Sequence, residues 1–331
     1  MALEQSKNIP VEDLTTERRD MSAMEFDDDV VWAAWLYYVD ELTQSDVAKV
    51  LGVSRATVVN LLREARQRNI VSIRVSADIS MRAVLAKRLA ARYGLGGALV
   101  IPEEGTLPLI DRLGNAGARI IEQHVGPNDV VGVAWGRTVL AAARAISGNL
   151  SIPSLTVVQV YGSTFGAPDF SPEFCTSLLA NRLGARCVNL LAPAMVSQRS
   201  LQKALLQEPM LAKQFNLIRA ATKIIFGVGD IGPSSTVRQA ELAPSETFDA
   251  YLAAGSKGMI IGRFINDAGA PVSGELDERM IGISLHELRQ IPVRICLSGG
   301  CEKREAIRAT LRGNYATHLI TDSSTAAWLL Q

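Results

Sequence analysis

Several polar side chains between residues 44 and 63 have the types and spacing to contact the base edges and phosphates of duplex DNA. An arginine can donate two hydrogen bonds to guanine and an asparagine can pair with adenine, each worth about 1–3 kcal/mol of discrimination. Arg55 and Asn60 are candidates for these contacts. Gln44 is placed to hold the phosphate backbone, which positions a protein without specifying sequence. The candidate DNA-contacting residues are Gln44, Ser54, Arg55, Ala56, Thr57, Val59, Asn60 and Arg63.

The small and capping residues around these side chains predict a helix-turn-helix. Thr43 and Ser54 stand where N-caps are needed, and Gly52 stands at the turn, where a left-handed backbone is cheap only without a side chain. Ala48 lies four residues before Gly52 and lets the two helices cross closely. The second helix would then enter the major groove by its N-terminal end. The alternative is an ordinary helical hairpin with solvated arginines.

Charge is segregated along the chain although the formal net charge is zero. Residues 25–42 carry six acids and no bases, whereas residues 43–75 carry six bases against two acids. A phosphate backbone meets this local excess rather than the average charge. The alternating run Ile70–Val75 predicts a strand-like wing after the second helix, with Arg74 near the backbone.

A second group of candidate residues follows predicted strands in the rest of the chain. Gly136 allows backbone N–H groups to approach an anion, Arg137 supplies charge and Thr138 a hydroxyl, all at a helix start. The alternative there is a capped helix with a solvated arginine. Lys303 begins another helix, where a cation is unfavourable with the helix dipole unless it meets an anion. Gly162 and Ser163 follow the predicted strand Leu155–Val160 and offer the same chemistry as Gly136 and Thr138. The residues predicted to bind a regulatory ligand, the effector, are Gly136, Arg137, Thr138, Gly162, Ser163 and Lys303.

The elements that must position this second group alternate between apolar strands and helices from residue 97 onward. Such alternation predicts an α/β fold with a doubly wound, mostly parallel sheet covered on both faces, and ligands bind such sheets beyond the carboxyl ends of the strands. The predicted strands are Ala98–Ile101, Val130–Ala134, Leu155–Val160, Arg186–Leu191, Lys223–Val228, Met259–Phe264, Val293–Leu297 and His318–Thr321.

Changes in residue composition and pattern along the chain predict four segments. They are a disordered tail over 1–24, a winged helix-turn-helix DNA-binding domain over 25–76, a linker or oligomerisation helix over 77–94 and a ligand-binding domain over 95–331.

Other chemistry is poorly represented in the sequence. The three histidines (His124, His286, His318) are scattered and predicted to be structural, and no serine elbow, metal-ligand spacing or paired carboxylate occurs, so neither catalysis nor a metal or cofactor is expected. The four cysteines show no Cys-x-x-Cys spacing, which suits thiols in a reducing compartment. No apolar run approaches the length of a membrane span and the N-terminal residues lack the basic-then-apolar order of a secretory signal, so a cytoplasmic location is expected.

Beyond these signals, the chain resembles the SorC/DeoR-type sugar-binding transcriptional regulators from about Val31 to its C-terminus. The resemblance implies that the domain over 95–331 is a sugar-binding effector domain, shaped like sugar-phosphate isomerases and glucosamine-6-phosphate deaminase but used for sensing. It also implies a homo-oligomer, a dimer or tetramer, on a palindromic operator. The stretches that carry it are Ala33–Tyr38, Leu42–Ser45, Gly132–Thr138, Leu191–Ala194, Gly227–Gly229, Gly262–Phe264, Gly269, Gly299–Gly300, Lys303, Ala306–Ile307 and Thr321–Asp322.

One position departs from that family. Members often have Gly-Asp-Ile where this chain has Gly258-Met259-Ile260, and a methionine cannot accept hydrogen bonds from sugar hydroxyls as a carboxylate does. Asp230 or Asp267 could substitute. The prediction is a DNA-binding transcriptional regulator, a repressor of a carbohydrate or polyol operon, controlled by a sugar, polyol or sugar phosphate. The rivals are an isomerase- or deaminase-like enzyme with an appended DNA-binding segment, and a regulator whose C-terminal domain only oligomerises.

Overall fold

The structure is a computed structural model that describes residues 26–73, 76–148, 150–164, 169–233, 235, 238 and 243–331. The chain divides into two compact units, Met1–Ser76 and Ala77–Gln331, which are taken separately below.

The described part of the first unit consists of three helices, α1 (Asp29–Tyr38), α2 (Gln44–Leu51) and α3 (Arg55–Gln67). Thr43 Oγ1 accepts a hydrogen bond from the Asp46 backbone N–H at 3.3 Å, and Ser54 Oγ accepts one from the Thr57 N–H at 3.1 Å, so both predicted caps form. Gly52 ends α2 with a φ of 67°. The three helices bury a larger and a smaller apolar cluster. The larger consists of Ala33, Leu36, Val47, Ala48, Val50, Leu51, Val58 and Leu62, and the smaller of Val30, Ala34 and Ala65.

The predicted wing does not form a strand over Ile70–Ile73. The backbone N–H groups of Ile70 and Val71 both turn back to the Ala65 carbonyl, at 2.9 and 3.3 Å, so these residues close the end of α3 instead of pairing in a ladder. That expectation is therefore wrong for residues 70–73. Arg74 and Val75, like the predicted tail over 1–24, lie outside the described residues.

The second unit is built on a seven-stranded sheet. Its strands are β1 (Gly97–Ile101), β2 (Val130–Val133), β3 (Thr156–Gln159), β4 (Arg186–Val188), β5 (Lys223–Phe226), β8 (Val293–Leu297) and β9 (His318–Asp322), and β6 (Ser256–Ile260) pairs with β7 (Arg263–Asn266) as a separate ribbon. The strand order in the sheet is β1-β9-β8-β5-β2-β3-β4, and every pair of neighbours is parallel. The α-helices are α4 (Ala77–Tyr93), α5 (Leu109–His124), α6 (Arg137–Ala145), α7 (Pro172–Leu183), α8 (Arg199–Gln207), α9 (Pro209–Arg219), α10 (Ser245–Ala253), α11 (Leu285–Gln290), α12 (Arg304–Arg312) and α13 (Ser323–Leu329).

Helices cover both faces of the sheet, as the apolar strands require. On one face, Leu113 and Ile121 of α5 pack with Val139 of α6 and Leu179 of α7. The other face is covered by α4 and by helices α9 to α13, with Phe215 of α9 among the buried residues. This arrangement confirms the α/β fold with a mostly parallel sheet.

One predicted strand, Met259–Phe264, is wrong as a single element. A two-residue turn at Ile261 and Gly262, with φ of 49° and 77°, folds the segment into the antiparallel ribbon of β6 and β7. Two consecutive residues with positive φ are what a type I′ hairpin turn requires. Isoleucine is rare in that position, so the composition of the segment concealed the turn.

The helix predicted as a linker, α4, belongs to the second compact unit. Leu89 is fully buried in its core, and the Tyr93 hydroxyl donates to the Leu329 carbonyl at 2.9 Å. Earlier in the same helix, Met81 and Val84 remain 61% and 53% exposed. The helix therefore docks by its C-terminal half and presents apolar side chains to solvent from its N-terminal half.

Candidate functional site

The first candidate site is the N-terminal end of α3. Ser54, Arg55, Ala56, Thr57, Asn60 and Arg63 are exposed, while Val59 and Gln44 are half-buried. Val58 and Leu62, on the other side of the helix, are buried in the apolar core of the unit. The face of α3 that points away from this core carries the residues that were predicted from α3 and its cap to contact DNA.

Arg55 and Arg63 on this face have no acidic partner in the hydrogen bonds that the structure shows for them. Arg55 Nε donates to Gln44 Oε1 at 3.4 Å, and Arg63 Nη1 donates to Asn60 Oδ1 at 3.0 Å. Lys49, by contrast, pairs with Asp46 at 3.0 Å, and Arg68 pairs with both Asp28 and Glu64. Arg66 likewise donates to a carbonyl, that of Leu62 at 3.3 Å, so the described cations of α3 without an acidic partner in these contacts are Arg55, Arg63 and Arg66.

The second candidate site is a cleft of about 600 Å³, open solvent at its mouth included, at the carboxyl end of the sheet. The loops after β2 and β5 line it, and these neighbouring strands mark the point where the strand order reverses, because β3 follows on one side of β2 and β5 on the other. Such switch points are where open α/β sheets bind ligands. The cleft is lined by Ala134, Trp135, Gly136, Arg137, Thr138, Val139, Gly227, Val228, Gly229, Asp230, Met259, Ile261, Gly262 and Lys303.

The start of α6 gives this cleft a group of donors for an anion. Gly136 has a φ of 121°, a conformation that side chains oppose, and no side chain of the described residues caps the helix. The first backbone N–H groups of α6 therefore lack intrahelical partners and carry the positive end of the helix dipole. Arg137 and the buried Thr138 line the cleft beside them.

Lys303 adds a second cation to the same cleft. Burial lowers the pKa of Lys303 and the Arg137 guanidinium lowers it further, while Asp230 and Glu302 act in the opposite direction. Arg137 thus disfavours the charged form of Lys303, and of the two carboxylates only Asp230 lines the cleft, so a bound anion would stabilise this site.

Asp322, at the end of β9, holds the loop that leads to Lys303. Its carboxylate accepts hydrogen bonds from the backbone N–H groups of Gly300 and Thr325, each at 2.8 Å, and from Ser324 Oγ at 2.8 Å. A side chain on Gly299 would place its Cβ 2.3 Å from Asp322 Oδ2, so only glycine fits there. The sequence analysis did not identify this positioning role.

The remainder of the cleft wall is apolar. Trp135 stacks between Tyr161 and Phe170, with ring centroids 6.1 and 6.2 Å apart. Met259 and Ile261 are 6% and 5% exposed. A ligand in this cleft meets two cations and a carboxylate on part of its surface and hydrocarbon on the rest.

Four of the six predicted effector residues line this cleft, namely Gly136, Arg137, Thr138 and Lys303. Gly162 and Ser163 are not among its described lining residues. Gly162 packs against the backbone of Pro193, and Ser163 exchanges backbone hydrogen bonds with the 192–194 segment. The next residues of that loop, 165–168, lie outside the described part, so the role of Gly162 and Ser163 stays a prediction.

Of the two proposed substitutes for a family carboxylate, Asp230 lines the cleft and Asp267 instead pairs with Arg308 at 2.9 Å. The sequence analysis offered Asp230 only as an alternative to Asp267, and it did not place Asp230 or the glycines before it among the effector-binding residues. The loop after β5 could have been included, because its strand was predicted. The position of β5 beside β2 could not have been predicted, because strand order depends on contacts between residues that are far apart in the chain.

Two histidines that are distant in sequence meet in the fold. The rings of His124 and His318 lie 4.7 Å apart, and burial together with His124 lowers the pKa of His318. His318 starts β9 and is therefore at the amino edge of the sheet, away from the cleft. Among the described residues, no group of three or more histidine, cysteine or acidic side chains could hold a metal ion, and no helix is long and apolar enough to cross a membrane.

Comparison with known proteins finds relatives over most of the chain. The Sugar-bind family model, which describes a sugar-binding domain, matches residues 77–331. The chain is 33% identical over 311 residues to the uncharacterized transcriptional regulator YjhU of Escherichia coli strain K12, covering 92% of this chain and 94% of that protein. It is 29% identical over 307 residues to the transcriptional regulator LsrR of Enterobacter sp. strain 638, covering 91% and 92%.

A solved structure is similar over most of the chain. The crystal structure of the full-length sorbitol operon regulator SorC from Klebsiella pneumoniae superposes with a TM-score of 0.73 and 26% identity, covering 92% of this chain and all of that one. The protein is thus a transcriptional regulator with a sugar-binding domain, and not an enzyme. It belongs to the SorC-type family of sugar-binding transcriptional regulators.

Proposed function

We propose that the N-terminal end of α3 binds the major groove of duplex DNA. Arg55 and Asn60 would face base edges, with Ser54, Ala56, Thr57 and Val59 beside them, while Gln44 and Arg63 would hold phosphates. Support comes from the exposure of this face and from the uncompensated charge of its two arginines. The hydrogen bond between Arg55 and Gln44 would orient the arginine before DNA arrives.

We further propose that the cleft binds a sugar or sugar-phosphate effector through Gly136, Arg137, Thr138 and Lys303, with Gly162 and Ser163 contributing from the neighbouring loop. The observation that carries this proposal is the meeting of Arg137 and Lys303 at an uncapped helix start. Asp230 would accept hydrogen bonds from sugar hydroxyls. The effector domain would share its shape with sugar-phosphate isomerases and deaminases while lacking their turnover.

Effector binding would change operator affinity through the oligomer, because a ligand shifts an equilibrium only by its preference for one state. A coupling of about 1–3 kcal/mol would change DNA affinity about 5- to 150-fold. We propose a cytoplasmic repressor of a carbohydrate or polyol operon, a homodimer or homotetramer on a palindromic operator. In this proposal, residues 25–76 form the DNA-binding domain and residues 95–331 the effector domain, and residues 77–94 connect them along the chain. The exposed Met81 and Val84 of α4 support an oligomer contact within this connecting segment.

The test is fluorescence anisotropy of purified protein on labelled DNA from upstream of its own operon, with and without a panel of sugars, polyols and their phosphates. We expect at least one phosphorylated member to weaken DNA binding, and Lys303→Met to abolish that response while leaving DNA binding itself intact. Arg55→Ala should weaken DNA binding without changing the effector's effect on protein melting. Failure to bind this DNA at low salt under all conditions would refute the proposal.

A further inference from the structure

An apolar wall of the cleft is formed by Met259, near the end of β6, and by Ile261 and Gly262 in the turn between β6 and β7. Met259 exchanges two backbone hydrogen bonds with Gly229, at 2.9 and 2.8 Å, which ties the ribbon to the loop after β5. On its other side, Gly258 packs so tightly on α12 that an added Cβ would lie 2.4 Å from the Ala306 Cβ. The backbone at Met259 is therefore held at the cleft by contacts on both sides.

Ile261 occupies a backbone conformation that its own side chain opposes. Its φ of 49° is in the left-handed region, where a β-branched residue is a genuine outlier. Asparagine or glycine would suit the first position of such a turn better. The isoleucine side chain is nonetheless 5% exposed and lines the cleft, so its contribution is to the wall and not to the turn.

The chemistry of this wall restricts what can face it. Met259, Ile261 and Val228 offer hydrocarbon and a thioether, none of which replaces the water that a sugar hydroxyl loses on burial. A hydroxyl pressed against them would remain unsatisfied, whereas a C–H group would gain contact. The polar groups that we assign to the ligand are Arg137, Lys303 and the first N–H groups of α6 for an anion, and Asp230 and Thr138 for hydroxyls.

We propose that the effector is a deoxy-sugar phosphate, with its phosphate at Arg137 and Lys303 and its deoxygenated carbon against Met259 and Ile261. This inference rests on the proposed effector function of the cleft and adds the class of ligand and two specificity-determining residues.

Calorimetry on the purified full chain tests the proposal with matched pairs that differ by one hydroxyl. The pairs are 2-deoxyribose 5-phosphate against ribose 5-phosphate, and 6-deoxyfructose 1-phosphate against fructose 1-phosphate. We expect the deoxy member of at least one pair to bind about 5- to 100-fold more tightly, the range that corresponds to one buried, unsatisfied hydroxyl. Equal binding or tighter binding of the parent sugar in both pairs would overturn the inference.

Variants of the wall connect that preference to the named residues. Met259→Gln, which supplies an amide oxygen at similar volume, should bring the two members of the preferred pair toward equal affinity. Met210→Gln, at a methionine that is 57% exposed on α9, should leave the preference unchanged. Ile261→Asn should reduce the preference while the melting temperature stays the same or rises. An unaltered preference in both wall variants would contradict the assignment.

The outcome also separates this inference from the function beneath it. If the parent sugar phosphates bind and weaken DNA binding as well as the deoxy compounds do, the cleft is a sugar-phosphate sensor without an apolar preference, and only the inference fails. If no phosphate in the panel binds or changes DNA affinity, the effector proposal and the inference both fail.

Discussion

Replacing Asp322 with alanine should destabilise the effector domain strongly, because this side chain is only 2% exposed and accepts hydrogen bonds from two backbone N–H groups. Loss of the α13 cap at Thr325 costs about 1 kcal/mol. The buried Gly300 N–H loses its shorter bond and keeps only Thr325 Oγ1 at 3.2 Å, which adds about 1–3 kcal/mol. The expected loss in free energy of unfolding is about 2–4 kcal/mol.

Hydrogen exchange of the β8 and β9 amides measures that loss for this unit alone, since exchange reports opening region by region. Asp322→Asn keeps a capping oxygen and should lose clearly less. Asp267→Ala is the matched control, because it removes an exposed carboxylate paired with Arg308 and should cost under about 1 kcal/mol. A loss in Asp322→Ala no larger than in this control would refute the positioning role.

The same carboxylate predicts a pH dependence. Burial raises the pKa of Asp322, but the hydrogen bonds from Thr325, Gly300 and Ser324 outweigh it and hold the pKa below the usual 3.8. A carboxylate with a depressed pKa in the folded state contributes stability above pH 3.8 that is lost as the pH falls through the folded-state pKa. The stability of Asp322→Asn should therefore fall less steeply than wild type over that acidic window. Parallel curves would contradict this assignment.

Three further predictions follow from the two sites. Affinity for a phosphorylated effector should fall as pH rises, beginning below the usual lysine pKa of 10.5, whereas Lys303→Arg should keep it level in calorimetric titrations; identical profiles would count against Lys303 as the anion contact. Gly262→Ala should lower the free energy of unfolding by about 2–4 kcal/mol, because the added Cβ would lie 2.6 Å from both Met280 Sδ and Tyr161 Cε2 and would also strain the backbone. Gly52→Ala, with nothing within 4 Å of its Cβ, should cost about 1 kcal/mol from strain alone, and equal costs in urea denaturation would disprove this reasoning. Arg63→Ala should reduce the salt dependence of DNA binding by about one phosphate contact, while Lys49→Ala, which removes a cation already paired with Asp46, should change it less; the reverse order in anisotropy titrations would refute the phosphate role.

The accuracy of the sequence predictions followed the range of the interactions involved. The caps at Thr43 and Ser54 and the turn at Gly52 formed as predicted, because each depends on residues within four positions along the chain. Val293–Leu297 was predicted to the residue, since a short apolar run bounded by Pro292 and Ser298 has few alternatives. The strand predicted over Met259–Phe264 failed because an isoleucine stands at a turn position that usually signals itself by asparagine or glycine.

The sequence by itself determined the class of architecture and the residues that open α3, α6 and the Lys303 turn. Local periodicity, caps and glycines specify these through neighbouring atoms. Only the tertiary structure decided that β5 lies beside β2, and with it that Asp230, Met259 and Ile261 join Arg137 in one cleft. Pairing between distant strands is selected by the packing of the whole sheet, and no local pattern carries that information.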